Sequence, residues 1–425
     1  MHDWFRAHSS ALSGLDPDAP LDDLEPLRDL VGDARVVAVG EGAHFVREFT
    51  HARLRVLRFL AERCGFTVLA FEFGFAEAFA LDRWLSDDGR DGDEADEAGL
   101  AALGGTPYAG VNGELVRRLR RHNRTSGHPL RFVGVDLPTA AGELRPALEP
   151  LAGYLREVDP AAVARVDSAL AVADGVTGSS GAVAAPRWAR LTAAEQDALT
   201  ASLARLLLRF RALAPLYVER SDQAAYDTAL RHLEAAAHTD YMFGAMRDLF
   251  AGEGAPGDTS VREAYMAQSL HWHLDRAAPG TRVVLDAHNN HIQKTPVSFG
   301  GELIALPMGH YLHRALGDGY RALALTHTAD HVPEMHPDPE HEAGFEVVEE
   351  RLGEPTPGSV EAALAGAGLG GAVTLTSLRQ GPPTGLDSIR SQSAEMPTPV
   401  GEAFDGVLCS PTVTTSFTES VHGGS

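Results

Sequence analysis

The fold is decided by the stretch Arg35-Val-Val-Ala-Val-Gly-Glu-Gly-Ala-His44. Its run of apolar, mostly β-branched residues predicts a strand that is buried on both faces, as in a parallel sheet. The strand breaks at Gly40, and Glu41 and His44 follow at once. Open α/β sheets bind ligands beyond the carboxyl ends of their strands, so this turn is a candidate site. Taken alone, the stretch also fits an ordinary solvated turn.

Two further predicted strands end in carboxylates. Residues 66–72 end on Glu72, and residues 130–136 end on Asp136. A helix between the first two strands returns the chain in the same direction, because such crossovers have a fixed hand. Glu41, His44 and Glu72 are therefore expected at one edge of a parallel sheet.

The intervening helix is predicted over residues 47–64 and ends at Gly65, a typical C-terminal cap. At about 100° per residue, Arg53 lies inside the apolar stripe of this helix, whereas Arg55 is expected to face water. A buried guanidinium needs a partner. Arg53 therefore either forms a structural salt bridge or reaches the carboxylates at the strand ends.

The pattern predicts an α/β protein with a mostly parallel β-sheet flanked by helices. Residues 1–139 form the first part of the α/β core, and Ala- and Leu-rich runs predict a helical insertion or cap at 140–278 over the C-terminal strand edge. Residues 279–425 form the second part, in which a strand precedes Ala287-His288-Asn-Asn-His291. Residues 327–342 carry four histidines and are expected to form a mobile polar loop rather than a metal site.

Composition limits the possible functions. The chain has 425 residues, of which 44% are hydrophobic, enough for a large core. Its formal charge of −23 disfavours nucleic acid and anionic membranes as partners. Two cysteines are too few for a disulfide framework, and neither a leader nor a membrane-spanning apolar run is recognisable. We therefore expect a soluble, cytoplasmic protein, whereas the composition says little about a small-molecule substrate.

The candidate chemical groups all lie at or beside predicted strand ends. They are Glu41, His44, Glu72, His288, His291 and Arg53. Two carboxylates and two imidazoles without a recognisable nucleophile motif suit water activation. One histidine would take a proton from water, and a carboxylate would fix its tautomer. The second histidine could protonate the leaving alkoxide, and Arg53 could hold a carboxylate or stabilise the oxyanion.

Two alternatives use the same residues. A paired acid and base also suits elimination, or cleavage of a modified peptide, in a biosynthetic pathway. The His-x-x-His spacing of His288 and His291 also fits a divalent-metal site in a protein that is not an enzyme. The preferred interpretation needs neither a metal nor another cofactor.

These motifs resemble the erythromycin esterase-like hydrolases. The resemblance consists of Gly40-Glu41-Gly-Ala-His44, Arg53, Glu72 and Ala287-His288-Asn-Asn-His291, in that order. Arg262-Glu-Ala-Tyr-Met-Ala and Met308-Gly309 are also similar to the family. The resemblance implies an α/β core with a helical part that lines a cleft. It also implies metal-independent hydrolysis of a macrolide lactone or related ester, with His44 as base, Glu41 and Glu72 as its supports, and His288 assisting.

The chain departs from the family pattern at aromatic positions. Phe45 stands where family members often have glycine, and Phe73 is one of several phenylalanines around Glu72. Both are expected to shape the entrance of the pocket. The substrate could therefore be a macrolide, as in antibiotic resistance, or another polyketide or peptide natural product in a biosynthetic role.

Overall fold

The computed structural model describes residues 1–87, 109–299, 301–338, 341 and 344–416, without the side chains of 109–112 and 299. The strands are β1 Ser9–Ala11, β2 Val36–Val39, β3 Val68–Gly74, β4 Arg131–Asp136, β5 Val283–Asp286, β6 Val297–Phe299, β7 Glu302–Ala305, β8 Tyr320–His327, β9 His331–Pro337, β10 Phe345–Arg351, β11 Thr374–Ser377, β12 Ser388–Ser391, β13 Ala394–Pro397 and β14 Gly406–Ser410.

The helices flank the strands along the chain. They are α1 His2–His8, α2 Pro26–Val31, α3 Arg47–Cys64, α4 Phe75–Ser86, α5 Ala109–Thr125, α6 Arg145–Val158, α7 Pro160–Ala173, α8 Gly181–Trp188, α9 Ala193–Ala212, α10 Ala214–Arg220, α11 Gln223–Ala251, α12 Ser260–Arg276, α13 Asn289–Ile292, α14 Met308–Leu316, α15 Val360–Gly366 and α16 Val400–Ala403.

The central sheet is mostly parallel, as predicted. Its strand order within the described chain is β1-β11-β14-β8-β2-β5-β3-β4. All pairs from β14 to β4 are parallel, whereas β11 pairs antiparallel with both β14 and β1. The predicted fold class, an α/β protein with a mostly parallel sheet between helices, is confirmed.

Strand register brings the ends of the four strands β2, β5, β3 and β4 together. Asp286 at the end of β5 pairs with Val39 of β2 and with Phe71 of β3. Gly74 of β3 pairs with Asp136 of β4. Residues that directly follow these positions therefore emerge side by side at one edge, although they are far apart in the sequence.

The sheet is buried on both faces because alternate residues of each strand enter different apolar clusters. Val37 and Val39 of β2 pack in the cluster that contains α3 and α4. Val36 and Ala38 pack in the opposite cluster, with residues of α12, α14 and α15. The fully apolar sequence of β2 follows from this double burial.

A third apolar cluster lies within the helices from α6 to α11. The long helix α11 packs on α6, α8 and α9, so this block has a core of its own. The next helix, α12, packs on β4 and α14, which joins the block to the sheet. The division of the chain into parts at 1–139, 140–278 and 279–425 stays a prediction.

Two local expectations were wrong. Arg55 is not directed to water, because the segment before β2 covers α3 and the side chain is only 1% exposed. The histidine-rich segment is not a loop, since β9 and β10 form an antiparallel hairpin and His327 is a buried residue of β8. Residues 339, 340, 342 and 343 of that segment lie outside the described residues. None of the described helices combines the length and the apolarity that a bilayer span requires.

The Arg55 guanidinium donates to the carbonyl oxygens of Gly14 and Pro20 and pairs with Asp23. We expect Arg55→Met to lower the free energy of unfolding by about 3 kcal/mol, because it leaves buried acceptors without a donor. Urea unfolding at an unchanged m-value measures the loss. Arg63→Met on the same helix is the control, since Arg63 pairs only with exposed carboxylates, and its cost should stay below about 0.5 kcal/mol. Equal losses in both variants would contradict the assignment.

Candidate active site

The turn after β2 joins a carboxylate to an imidazole. Nδ1 of His44 lies 2.7 Å from Oε1 of Glu41. An ionised carboxylate only accepts hydrogen bonds, so Nδ1 carries the proton and the lone pair of a neutral His44 is on Nε2. Within the described part of the chain, Nε2 has no hydrogen-bond partner, and the side chain is 26% exposed. His44 therefore offers a basic nitrogen that is not engaged by the described part of the protein.

Arg53 reaches the carboxylates at the strand ends, which decides between its two predicted roles. Its guanidinium lies 3.2 Å from Oε2 of Glu41 and 2.8 Å from Oδ1 of Asp286, and the side chain is 4% exposed. Burial alone would raise the pKa of Glu41, but Arg53 and His44 outweigh it and lower this pKa to about 2. Glu41 is consequently ionised at neutral pH.

Glu72 accepts three hydrogen bonds at the end of β3. Its Oε2 accepts from the backbone N–H of His288 at 3.0 Å, and its Oε1 accepts from Arg262 at 3.0 Å and from Nε2 of His291 at 3.1 Å. Burial opposes ionisation of Glu72, but His291 and Arg262 hold its pKa well below the usual range. Glu72 is therefore an anion that links β3 to the segment after β5.

His288 is a neutral imidazole with a free N–H. Its Nδ1 accepts from the backbone N–H of Asn290 at 3.2 Å, and its Nε2 is buried with no partner in the described chain. Burial, followed by the nearby His44, lowers the pKa of His288 to about 3. With Nδ1 as acceptor, the proton of the neutral ring is on Nε2. The ring centroids of His44 and His288 are 5.0 Å apart, so these two histidines share one site.

His291 differs from His288 because both of its nitrogens contact carboxylates. Nδ1 lies 2.6 Å from Glu263, and Nε2 lies 3.1 Å from Glu72. Burial would lower the pKa of His291, but Glu263 and Glu72 raise it to about 10. His291 is therefore an imidazolium cation at neutral pH.

The other predicted supporting residues lie around these groups. Asp136 accepts from Arg262 at 2.6 and 2.9 Å and thereby holds the guanidinium that contacts Glu72. Phe45 is buried, with its ring centroid 5.8 Å from that of Phe345. Its φ of 64° is a left-handed conformation that favours glycine, so the backbone at Phe45 is strained.

Phe73 packs against an aromatic residue of β4. Its ring centroid lies 5.9 Å from that of Phe132, and the side chain joins the apolar cluster beneath α3 and α4. Its predicted part in shaping the entrance of the pocket has no support in these contacts.

Asn289 holds the turn of residues 40–45, which follows β2, carries Glu41 and His44, and is called the catalytic turn below. Its side chain donates to the carbonyl oxygen of Leu325 at 2.8 Å and accepts from the N–H of the same residue at 3.2 Å, while its own N–H donates to the carbonyl of Glu41 at 2.9 Å. A Cβ at Gly40 would collide with Oδ1 of Asn289, so glycine is required there.

The hairpin turn between β12 and β13 clamps the catalytic turn from the other side. The side-chain oxygen of Gln392 accepts from the backbone N–H of His44 at 2.6 Å. The backbone N–H of Gln392 donates to the carbonyl oxygen of Gly42 at 2.7 Å. The same side chain donates to Glu334 of β9 at 3.2 Å. The position of His44 therefore depends on residues near the end of the chain.

The described residues contain no group of three or more His, Cys, Asp or Glu side chains arranged to hold a metal ion. The predicted pair His288 and His291 has ring centroids 6.5 Å apart, and both nitrogens of His291 are engaged by carboxylates. A protonated imidazole has no lone pair for a metal. The geometry does not favour the metal-binding alternative.

A family model described as erythromycin esterase matches residues 61–413. The chain belongs to the erythromycin esterase family. It is 36% identical to erythromycin esterase type II of Escherichia coli over 393 residues, which is 92% of this chain and 93% of that protein. It is 35% identical to erythromycin esterase type I of the same species, over 91% and 93% of the two chains. Family membership, predicted from the sequence motifs, is confirmed, and this family member is a carboxylic ester hydrolase.

Solved structures agree with the family assignment. A mutant of erythromycin esterase EreC in its open conformation superposes with a TM-score of 0.88 at 32% identity, covering 96% of this chain and 98% of that one. A Bacillus cereus protein at 17% identity and a TM-score of 0.75 shares the fold alone.

Sequence reasoning missed four residues of this esterase site. Asp286 is the last residue of its strand, just as Glu72 and Asp136 are the last residues of their predicted strands. The same signal would therefore have found it. Arg262 and Glu263 lie in a stretch similar to the family, but charged residues in the first turn of a helix are common and indicate no site by themselves. Gln392 carried no signal, because its contact with His44 exists only in the folded chain.

Asn289→Ala would leave the buried N–H and C=O of Leu325 without partners. We expect a loss of about 2 kcal/mol in the free energy of unfolding and a fall of about a hundredfold in kcat/KM, because the turn that carries His288 loosens. Asn123→Ala is the matched control, since Asn123 makes the same pair of hydrogen bonds to Leu130 away from the site. It should lose comparable stability and keep its activity. Parallel losses of activity in both variants would refute the positional role of Asn289.

Proposed function

We propose that this enzyme hydrolyses the lactone or ester of a macrolide-like or other bulky natural product with water activated by His44. The observation that carries the proposal is the oriented pair of His44 and Glu41, because the ring centroid of His44 lies 5.0 Å from that of His288, whose Nε2 has no partner in the described chain. The names of the two curated relatives, both erythromycin esterases, support a macrolide as substrate.

In the first step, Nε2 of His44 takes a proton from water while the water oxygen attacks the ester carbonyl. Glu41 stabilises the resulting imidazolium through Nδ1–H, and Arg53 keeps Glu41 ionised and in place. A positioned general base of this kind contributes roughly 10²–10⁴ in rate. Burial lowers the pKa of His44, but Glu41 and then Glu72 raise it above the ordinary value, so the neutral base becomes available at a higher pH than for a free imidazole.

His288 has a different part from the one expected of a second histidine. Because burial keeps its ring neutral, its Nε2–H is a hydrogen-bond donor and a poor source of protons. We assign it to the oxyanion that forms on the carbonyl oxygen, where a preorganised donor lowers the barrier. The proton taken up by His44 then passes to the leaving alkoxide, as a single base–acid residue does in other acyl transfers.

The charged groups around the two histidines keep this geometry. Glu72 fixes the backbone of His288, and it is in turn held by His291 and Arg262. Asp136 holds Arg262, and Phe45 packs the turn that carries His44. These residues act on positions and charges rather than on the substrate itself. Catalysis without a metal, action in the cytoplasm and the absence of a nucleic-acid partner stay predictions.

His44→Asn should lower kcat by about 10⁴ while the protein stays folded, because the base is lost and the oxyanion donor remains. The assay follows product masses with erythromycin and a panel of other lactones and esters, with and without chelator, in heavy-oxygen water. Hydrolysis adds one labelled oxygen, whereas elimination adds none. His128→Asn, at an exposed position, is the control. Turnover retained in His44→Asn would remove His44 from the mechanism, and loss of activity with chelator would contradict metal independence.

Glu41→Gln should shift the pH profile as well as the rate. The reaction needs neutral His44, so kcat/KM falls as the pH drops through the raised pKa of this residue. Without the carboxylate this pKa falls, and the acid limb of the profile moves to lower pH. The plateau of kcat/KM also drops, by roughly 10²–10⁴-fold. The Gln amide N–H can donate to Nδ1 of His44 and so stabilise the tautomer that carries its proton on Nε2, which cannot act as the base. An acid limb that stays in place in Glu41→Gln would show that Glu41 does not set the basicity of His44.

A further inference from the structure

We infer that Glu263 is a positioning residue of this site, which keeps His291 as an imidazolium so that His291 can hold Glu72 and limit the protonation of His44. The inference rests on the proposed function, because it gives Glu263 a part in the reaction at the same site. Glu263 touches none of the groups that would react.

The contacts of His291 require the cation. Its Nδ1 lies 2.6 Å from Oε1 of Glu263, and its Nε2 lies 3.1 Å from Oε1 of Glu72. Carboxylates accept hydrogen bonds, so both ring nitrogens have to donate. The side chains of His291 and Glu263 are 16% and 8% exposed, so water screens their attraction only weakly.

The surrounding charges come from several elements. They are Glu263 and Arg262 of α12, Glu72 of β3, Asp136 of β4 through Arg262, Glu41 and His44 of the catalytic turn, His288 on the segment before His291, and the phenol of Tyr311 on α14. Glu263 is the nearest anion and bonds Nδ1, so its removal takes away the strongest support of the cation.

The cation matters for Glu72 first. Oε1 of Glu72 accepts from His291 and Arg262, and its Oε2 holds the backbone N–H of His288. If His291 lost its positive charge, the hydrogen bond from Nε2 to Glu72 would no longer be charge-assisted, and Glu72 would be held less firmly. A less firmly held Glu72 would in turn position His288 less well, and we assign the ring Nε2–H of His288 to the oxyanion.

The cation also matters for His44. Glu41 and Glu72 raise the pKa of His44, whereas the charge on His291 lowers it. Without the charge on His291, the pKa of His44 rises further and less of the neutral base is present at neutral pH. Removal of Glu263 should therefore move the acid limb of kcat/KM to higher pH, opposite to the shift expected for Glu41→Gln.

A purely structural role for Glu263 is the competing explanation. Its Oε2 accepts from the N–H of Met308, the first residue of α14, at 2.8 Å. This bond ties α12 to α14 and would cost stability if lost. Glu263→Gln separates the two roles, because the amide oxygen can still accept from Met308 while the charge is gone.

The experiment compares the wild-type enzyme with Glu263→Gln and with Asp275→Asn, which removes one exposed charge near the far end of the same helix. The pKa of His291 is measured by NMR on protein with ¹⁵N-labelled histidine, with its signals assigned by their loss in His291→Gln. The pH dependence of kcat/KM and the thermal unfolding midpoint are measured in parallel.

We expect His291 to stay protonated above pH 8 in the wild type and its pKa to fall by about two units in Glu263→Gln. The acid limb of kcat/KM should move up by about half a unit or more, and kcat at pH 7 should fall about tenfold. Asp275→Asn should match the wild type. If Glu263→Gln does not fold, His291→Gln removes the cation directly and should produce the same upward shift of the acid limb.

Several outcomes overturn the inference. They are a neutral His291 at pH 7 in the wild type, an unchanged acid limb in a folded Glu263→Gln or in His291→Gln, and a loss of thermal stability alone. Failure of the proposed function is distinguishable, because it would appear as wild-type protein that has no His44-dependent hydrolysis while the NMR titration still reports the charge of His291.

Discussion

The rest of the site depends on the ionised carboxylate of Glu41 and on its contacts with Arg53 and His44. This carboxylate lies between a guanidinium that stays charged at every relevant pH and an imidazole that has to gain and lose a proton. Arg53 removes the cost of burying this anion, and the anion then orients His44 and raises its basicity. Without Arg53, burial would favour a neutral Glu41, which could donate to His44 and reverse its tautomer.

The parallel sheet makes this arrangement possible. Because Val39, Asp286 and Phe71 lie in register, the residues that follow β2, β5 and β3 emerge next to one another. Asn289 fastens the turn after β5 to β8 and leaves no space for a side chain at Gly40. The strained φ of Phe45 belongs to the same turn and is maintained by packing against Phe345.

His288 and His291 differ in charge for a clear physical reason. His288 contacts backbone and another imidazole, so burial keeps it neutral. His291 lies between two carboxylates, so it is a cation despite similar surroundings. Because their partners differ, His288 provides a neutral hydrogen-bond donor and His291 provides a fixed positive charge, although the two residues are only three positions apart.

The sequence by itself determined the family and the parallel sheet, and it singled out Glu41, Glu72 and His288 as candidates, because polar residues at or just after the end of an apolar strand leave a local pattern. It also placed Arg53 correctly, since a charged residue inside an apolar helical stripe needs a buried partner. Only the tertiary structure decided the partners of each histidine, the clamp by Gln392 and the contact of Glu263 with His291. It also buried Arg55, which helical periodicity directed to water. Local patterns report neighbours in the chain, whereas pKa values and clamps depend on partners from distant segments, whose positions exist only after folding.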